Sequence, residues 1–268
     1  MYLLLVNPKS GNNYYARIER ALKARLARDK VRHKIILIED LADIPQILND
    51  NVRDSTRGVV AVGGNGTVAS VIDALVGYDL PFAIIPASRT NHLAHMLGVR
   101  NWQTGLGRLT AHTLQDKCLG KIGERYFVGR LTIAPKRNLL TGVLEQPNWL
   151  KRFLGPNFAR GLKKLQGVAA TIKLGNSLTV SCQTSGLELA LVDDGQKQIK
   201  LTIHTPHGKG LEKSIFHATT VSIASSLNMP ILSGNETIAN TPAKIQVIGQ
   251  TIQFMGPPHA STSSKKAL

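Results

Sequence analysis

Val59-Val60-Ala61-Val62-Gly63-Gly64-Asn65-Gly66-Thr67-Val68-Ala69 runs from an apolar segment through a glycine turn into a helix-forming run. Four small apolar residues, three of them valine, have the continuous apolar character of a strand covered on both faces. Where a strand ends in glycines and a helix begins, bare backbone N–H groups and the positive end of the helix dipole face one spot. Such a turn can hold phosphate. It can equally be a tight connection in which glycine serves only a positive φ, and the turn alone leaves both readings open.

Working outward, residues 2–6 read as a second strand, apolar on both faces, broken by Asn7-Pro8-Lys9-Ser10-Gly11. A helix from about Asn12 to Ala27 follows, with Ile18, Ala21, Leu22, Arg25 and Leu26 at helical spacing. His33–Ile38 is a strand and Ile44–Leu48 a short helix. After the glycine turn, Val68, Val71, Ile72, Leu75 and Val76 share one helix side, and the helix ends near Gly77. Pro81–Ile85 is a strand and Asn91–Leu97 opens a helix. Strand and helix alternate over about the first hundred residues, which implies a parallel sheet covered by helices. Ligands of such sheets bind at the carboxyl ends of strands. Three strand ends carry distinctive residues: Asn7 to Gly11, Gly63 to Thr67, and Pro86 to Asn91.

Beyond about residue 110 the rhythm changes. Gly120–Ile133, Ala169–Leu174, Leu178–Cys182, Leu187–Val192, Ile199–His204, Thr219–Ala224 and Lys244–Phe254 are short and rich in β-branched residues. Gly123-Glu124, Gly175-Asn176 and Asp194-Gly195 separate several of them as turn signals. An antiparallel β-sandwich is expected. The organisation expected is therefore an α/β nucleotide-binding domain over 1–112, a β-sandwich domain over 113–255 whose last residues can return to the first, and a mobile tail over 256–268.

The 268 residues, 43% hydrophobic and 19% charged, describe an ordinary globular chain. Two cysteines, Cys118 and Cys182, argue against a disulfide framework and fit a reducing compartment as small buried residues. No secretory signal or membrane-length apolar run is present, so a cytoplasmic protein is expected. The net charge of +16 favours anionic partners. No acidic residue falls between Gln146 and Leu187.

Gly64 to Ala69 also matches the dinucleotide fingerprint G-x-G-x-x-A, but the strand after it ends at Ile85-Pro86 without the carboxylate that would bind ribose. No Walker Gly-Lys-Ser/Thr is present. Taken together, Leu3–Gly11, Val59–Thr67 and Pro86–Gly98 resemble the diacylglycerol kinase family, which includes bacterial lipid kinases and the sphingosine and ceramide kinases. The family's marks are a strand ending Asn-Pro-x-Ser-Gly, a Gly-Gly-Asp-Gly-Thr turn, and a Pro-x-Gly-Thr-Gly-Asn-Asp-x-Ala segment. The resemblance continues through Cys118–Phe127, whose Glu124-Arg125-Tyr126-Phe127 matches the end of a family strand pair.

The resemblance implies the fold of the NAD-kinase and diacylglycerol-kinase type, α/β then β-sandwich, and an ATP-dependent lipid kinase with magnesium assisting phosphoryl transfer. Asn7, Lys9, Ser10, Gly63, Gly64, Asn65, Gly66, Thr67, Arg89, Thr90 and Asn91 are the nucleotide-site candidates it carries over. The acidic positions depart from the pattern. Asn65, His92 and Cys118 stand where the family has aspartates, and Ile248-Gly249-Gln250 aligns with its Asp-Gly-Glu, the source of a catalytic base. Magnesium is usually held by carboxylates and phosphates, so these losses argue against a magnesium site and leave no catalytic residue to assign. They also remove repulsion from a cleft that Arg89 makes more basic.

The reading that follows is a diacylglycerol-kinase-like pseudoenzyme that binds ATP or another phosphorylated nucleotide in a binding or regulatory role. An active lipid kinase, its metal ligands replaced by Asp193, Asp194 or Glu236, is the alternative; a nucleic-acid-binding protein is the second. Trp149, Lys151, Arg152, Phe153, Arg160, Lys163 and Lys164 form a basic amphipathic stretch suited to an anionic membrane surface on the cytoplasmic side, or to packing on the sandwich with a solvated basic face. A homodimer is a further expectation. His92 and His95, three apart, could share a metal, but no third ligand is visible.

Overall fold

The fully apolar Tyr-Leu-Leu-Leu-Val segment becomes β1 (Tyr2–Val6), buried along its whole length. The computed structural model describes residues 1–88, 91–111, 113–136, 167–192, 196–207 and 210–256. The chain divides into two units, Met1–Lys117 with the chain from Ile252, and Cys118–Thr251.

In the first unit β1 is followed by α1 (Ser10–Arg28), β2 (His33–Leu37), a 3-10 turn at Leu41–Asp43, α2 (Ile44–Asn51) and β3 (Gly58–Gly63). Then come α3 (Asn65–Leu75), β4 (Phe82–Pro86), α4 (His92–Met96) and α5 (Trp102–Ala111). The four strands are parallel in the order β2-β1-β3-β4, with Tyr2 opposite both His33 and Gly58. This register brings the carboxyl ends of β1, β3 and β4 side by side. Val6, Val62, Ile85, Tyr15, Ile18, Leu22 and Leu26 belong to one core cluster. On α1 these apolar residues recur every three or four positions, so one face of the helix is buried against the sheet.

The second unit is the antiparallel β domain. β5 (Leu114–Ile122) leads into it, followed by β6 (Arg125–Phe127), β7 (Arg130–Ile133), β8 (Val168–Leu174), β9 (Leu178–Thr184) and β10 (Gly186–Val192). It continues with β11 (Gln198–His207), β12 (Gly210–Ala218), β13 (Thr220–Ser225), β14 (Pro230–Ser233), β15 (Glu236–Asn240) and β16 (Ala243–Met255). One layer runs β16-β13-β8-β9 and the other β12-β11-β10-β7-β14-β15. Ile172 and Val221 of the first layer share a buried core with Leu189, Leu201 and Ile231 of the second, which makes a sandwich. The strict alternation of buried and exposed residues along β8 is the period-two pattern of such a layer. The last residues of β16 return to the first unit, where Phe254 pairs with Phe82 of β4 and their rings lie 5.8 Å apart.

The structure corrects several sequence expectations. Gly11, Asn12 and Asn13 have φ of 59°, 55° and 60°, so the start of α1 is a left-handed turn and the right-handed helix follows it. Ala21 is exposed, while Tyr15 is buried. The span Gly120–Ile133 is three strands, interrupted at Gly123 and Gly129, both at positive φ. Cys118 is buried but Cys182 only partly so. α5, β12, β14 and β15 are elements beyond those the sequence pattern predicts. Arg89, Thr90, Asp193, Asp194, the tail from 257, and the basic stretch with Trp149, Lys151, Arg152, Phe153, Arg160, Lys163 and Lys164 lie outside the described residues. Among the described residues no helix is long and apolar enough to cross a membrane.

Candidate functional site

The glycine turn joins β3 to α3, and Gly63 and Gly64 answer different physical demands. None of Gly63, Gly64 and Gly66 is among the positive-φ residues, so a turn needing only left-handed backbone does not account for them. A Cβ on Gly63 would stand 2.5 Å from the Thr67 hydroxyl, a collision that only glycine avoids. Gly64 has φ −90° and ψ −169°, extended backbone open to any residue. Its side faces space bordered by the hydroxyls of Ser88 and Ser10, 3.8 and 3.9 Å from where a Cβ would lie.

Gly64 is also the N-cap of α3, and it has no side chain to close the helix end. The first N–H groups of a helix have no intrahelical partner, and a phosphate placed there takes up both the free donors and the dipole. The half-buried Gly64, Asn65 and Gly66 border this spot.

A chain of polar contacts holds the cradle rigid. Asn7 Nδ2 donates to the hydroxyl of Thr67 at 3.1 Å, and the Thr67 and Ser10 hydroxyls are 3.3 Å apart. The Gly64 N–H donates to Ser10 Oγ at 3.2 Å. Thr67 accepts from Asn7, and either hydroxyl can donate in its contact with Ser10. Ser10 thus ties the backbone of the turn to the end of β1 through one hydroxyl. Thr67 itself is 2% exposed and serves inside the cradle.

Asn91 and Asn65 lock the third strand end to the turn. Asn91 Nδ2 donates to the Gly63 carbonyl at 3.0 Å, and its Oδ1 accepts from Ala94 N–H at 2.9 Å as the cap of α4. Asn65 Oδ1 accepts from Leu93 N–H at 3.1 Å. Both asparagines are thereby committed to the fold. Lys9 Nζ reaches the Glu39 carbonyl at 3.3 Å.

Gly11 and Ser88 complete the site, though neither was singled out as a ligand-binding residue. A Cβ on Gly11 would stand 2.7 Å from Ser88 Cα, so the left-handed turn of α1 packs directly on the end of β4. The signal available was the dipeptide Ser10-Gly11 itself, since glycine after a strand marks a close backbone approach. Cys118, Ile248 and Gln250 belong to the second unit. His92 is half-buried and His95 exposed. Among the described residues no group of three or more His, Cys, Asp or Glu side chains could share a metal ion.

Comparison with known proteins agrees with the resemblance read from the three strand ends. Residues 1–121 match the family model of the diacylglycerol kinase catalytic domain. A diacylglycerol kinase of Mycobacterium tuberculosis (strain CDC 1551 / Oshkosh) is 33% identical over 95 residues, which are 35% of this chain and 31% of that protein. The match thus spans about a third of the length of the curated relatives. A crystal structure of a diacylglycerol kinase from Bacillus anthracis str. Sterne aligns with a TM-score of 0.68 at 16% identity, covering 96% of this chain and 97% of that one. An NAD kinase from Archaeoglobus fulgidus in complex with ATP aligns with a TM-score of 0.54 at 13% identity, covering 95% and 93%. At these identities the structural likeness shows the fold.

Proposed function

We propose, from a first unit that resembles the diacylglycerol kinase catalytic domain in sequence and in fold, that this chain binds the phosphates of ATP or another phosphorylated nucleotide at the Gly63–Thr67 turn. Phosphoryl transfer there is impaired, and the role is binding or regulation. The observation that carries this reading is Asn65, a neutral amide whose oxygen already accepts the Leu93 N–H. It stands where the family pattern has a carboxylate.

Phosphoryl transfer depends on metal ions to neutralise developing charge, and magnesium is bound by hard, usually charged oxygens. Asn65 brings no charge, and Ile248 and Gln250 cannot act as a base. The described residues do not fit magnesium. They fit a bare anion better: the open side of Gly64 gives it room, and the end of α3, which has no side-chain cap, supplies positive potential. An anionic bilayer is the second proposed partner, through the basic stretch around Lys151 to Lys164.

The test is phosphate transfer from Mg-ATP to diacylglycerol in mixed vesicles by the purified chain. No product above that of a Gly64→Trp variant is expected. Product that forms with the native chain and disappears in that variant would overturn the impaired-enzyme reading.

A further inference from the structure

The opposite, amino-terminal edge of the parallel sheet carries a second concentration of positive charge. Because Tyr2 pairs with both His33 and Gly58, the residues one step earlier, Arg32 and Arg57, flank Met1 on the two neighbouring strands. The backbone fixes this arrangement: Tyr2 N–H donates to the Arg32 carbonyl at 2.8 Å, and Arg57 N–H donates to the Met1 carbonyl at 2.9 Å. Two strand spacings put the arginine Cα atoms roughly 10 Å apart, within reach of one small ligand for two long side chains.

Met1, Arg32, His33, Asp54, Ser55 and Arg57 line a depression of about 650 Å³ here. Both arginines are exposed, and among the described residues neither guanidinium has a hydrogen-bond or ion-pair partner. The contrast is Arg53 nearby, whose guanidinium donates to the carbonyls of Val52 and Asp50. His33 Nδ1 is engaged with the Val31 carbonyl at 2.8 Å, which leaves Nε2. Burial, then the charges of Arg32 and Arg57, lowers the pKa of the Met1 amine, so both guanidiniums act on the same region. Asp54 is the carboxylate on the rim and pairs with neither arginine.

We propose that Arg32 and Arg57 form a phosphate-group site at the amino-terminal edge of the sheet, separate from the glycine turn. Two like charges held on either side of β1 without a counter-ion among the described residues repel each other, and a phosphate between them relieves this and accepts charge-assisted bonds from both. The phosphate can be free or part of a lipid headgroup.

Arginine Nε–H resonances of the full chain separate these sources, with inorganic phosphate in one titration and phosphatidylglycerol-containing vesicles in another. The Arg32 and Arg57 signals should respond together and saturably to at least one of the two probes, while exposed Arg100 does not. Arg57→Gln should weaken the response at Arg32 about tenfold or more, and Asp54→Asn should strengthen it. Both variants change exposed side chains, and an unchanged melting temperature confirms their fold. A response at Arg32 and Arg57 no larger than at Arg100 with both probes, or one unaltered by Arg57→Gln, overturns the site.

Discussion

A Cβ on Gly63 would meet Thr67 at 2.5 Å, and one on Gly64 would meet Ser88 at 3.8 Å. Adjacent glycines are therefore kept for different reasons, and two alanine substitutions separate them. Gly63→Ala should cost about 1–3 kcal/mol through overpacking, read by chemical denaturation. Gly64→Ala should cost only about 0.5–1 kcal/mol, for a poorer helix cap, and yet weaken nucleotide binding, because the new methyl group takes the space beside Ser10 and Ser88. Asn65→Asp tests the electrostatic half of the account. The carboxylate can still accept from Leu93 N–H and lies in the first turn of α3, so the fold should gain about 0.3–1 kcal/mol. Metal-free ATP should bind more weakly, and magnesium should now help. The sequence shows that Asn65 lacks the family's charge. It could not show the contact with Leu93, because that partner is 28 residues away and the pairing exists only once β3 and β4 lie side by side.

At the scale of elements, α1 shows where periodicity stops being informative. The apolar spacing of Ile18, Leu22 and Leu26 reports the buried face, but it carries no information on φ. Gly11, Asn12 and Asn13 all sit in the left-handed region, which glycine and asparagine tolerate best. The order Gly-Asn-Asn after a strand was the local signal. Asn13→Ala should cost about 1–2 kcal/mol in this conformation, and Gly11→Ala more, since it also collides with Ser88. Urea denaturation measures both. The sequence does not signal α5, because Gly105 and Gly107 weaken its helical pattern. In the fold Gly105 is needed, since a Cβ there would collide with the Ile84 carbonyl of β4.

Across the whole molecule, the switch from α/β alternation to short β-branched strands was legible because burial on two faces and on one face leave different residue periods. The pairing of distant strands was not, and with it the polar group inside the second unit. There Glu188 Oε1 lies 3.3 Å from Nε2 of the fully buried His204, and Arg130 is 3.6 Å from Oε2. Burial acts to raise the Glu188 pKa, but His204, Arg130 and Lys213 outweigh it and hold the carboxyl below its usual range. A depressed folded-state pKa contributes stability above the ordinary carboxylate range and loses it as pH falls through the lowered value. Glu188→Gln should therefore be less stable than the native chain at neutral pH, with the gap closing in acid, as denaturation at a series of pH values would read.

The central claim is a phosphate cradle that keeps its donors and lacks the charge to hold a metal. Calorimetric titration of ATP into the native chain, once with a chelator and once with magnesium, tests it directly. Saturable binding is expected in both, no tighter with magnesium than with the chelator. No binding with the chelator and tight binding once magnesium is added would contradict it.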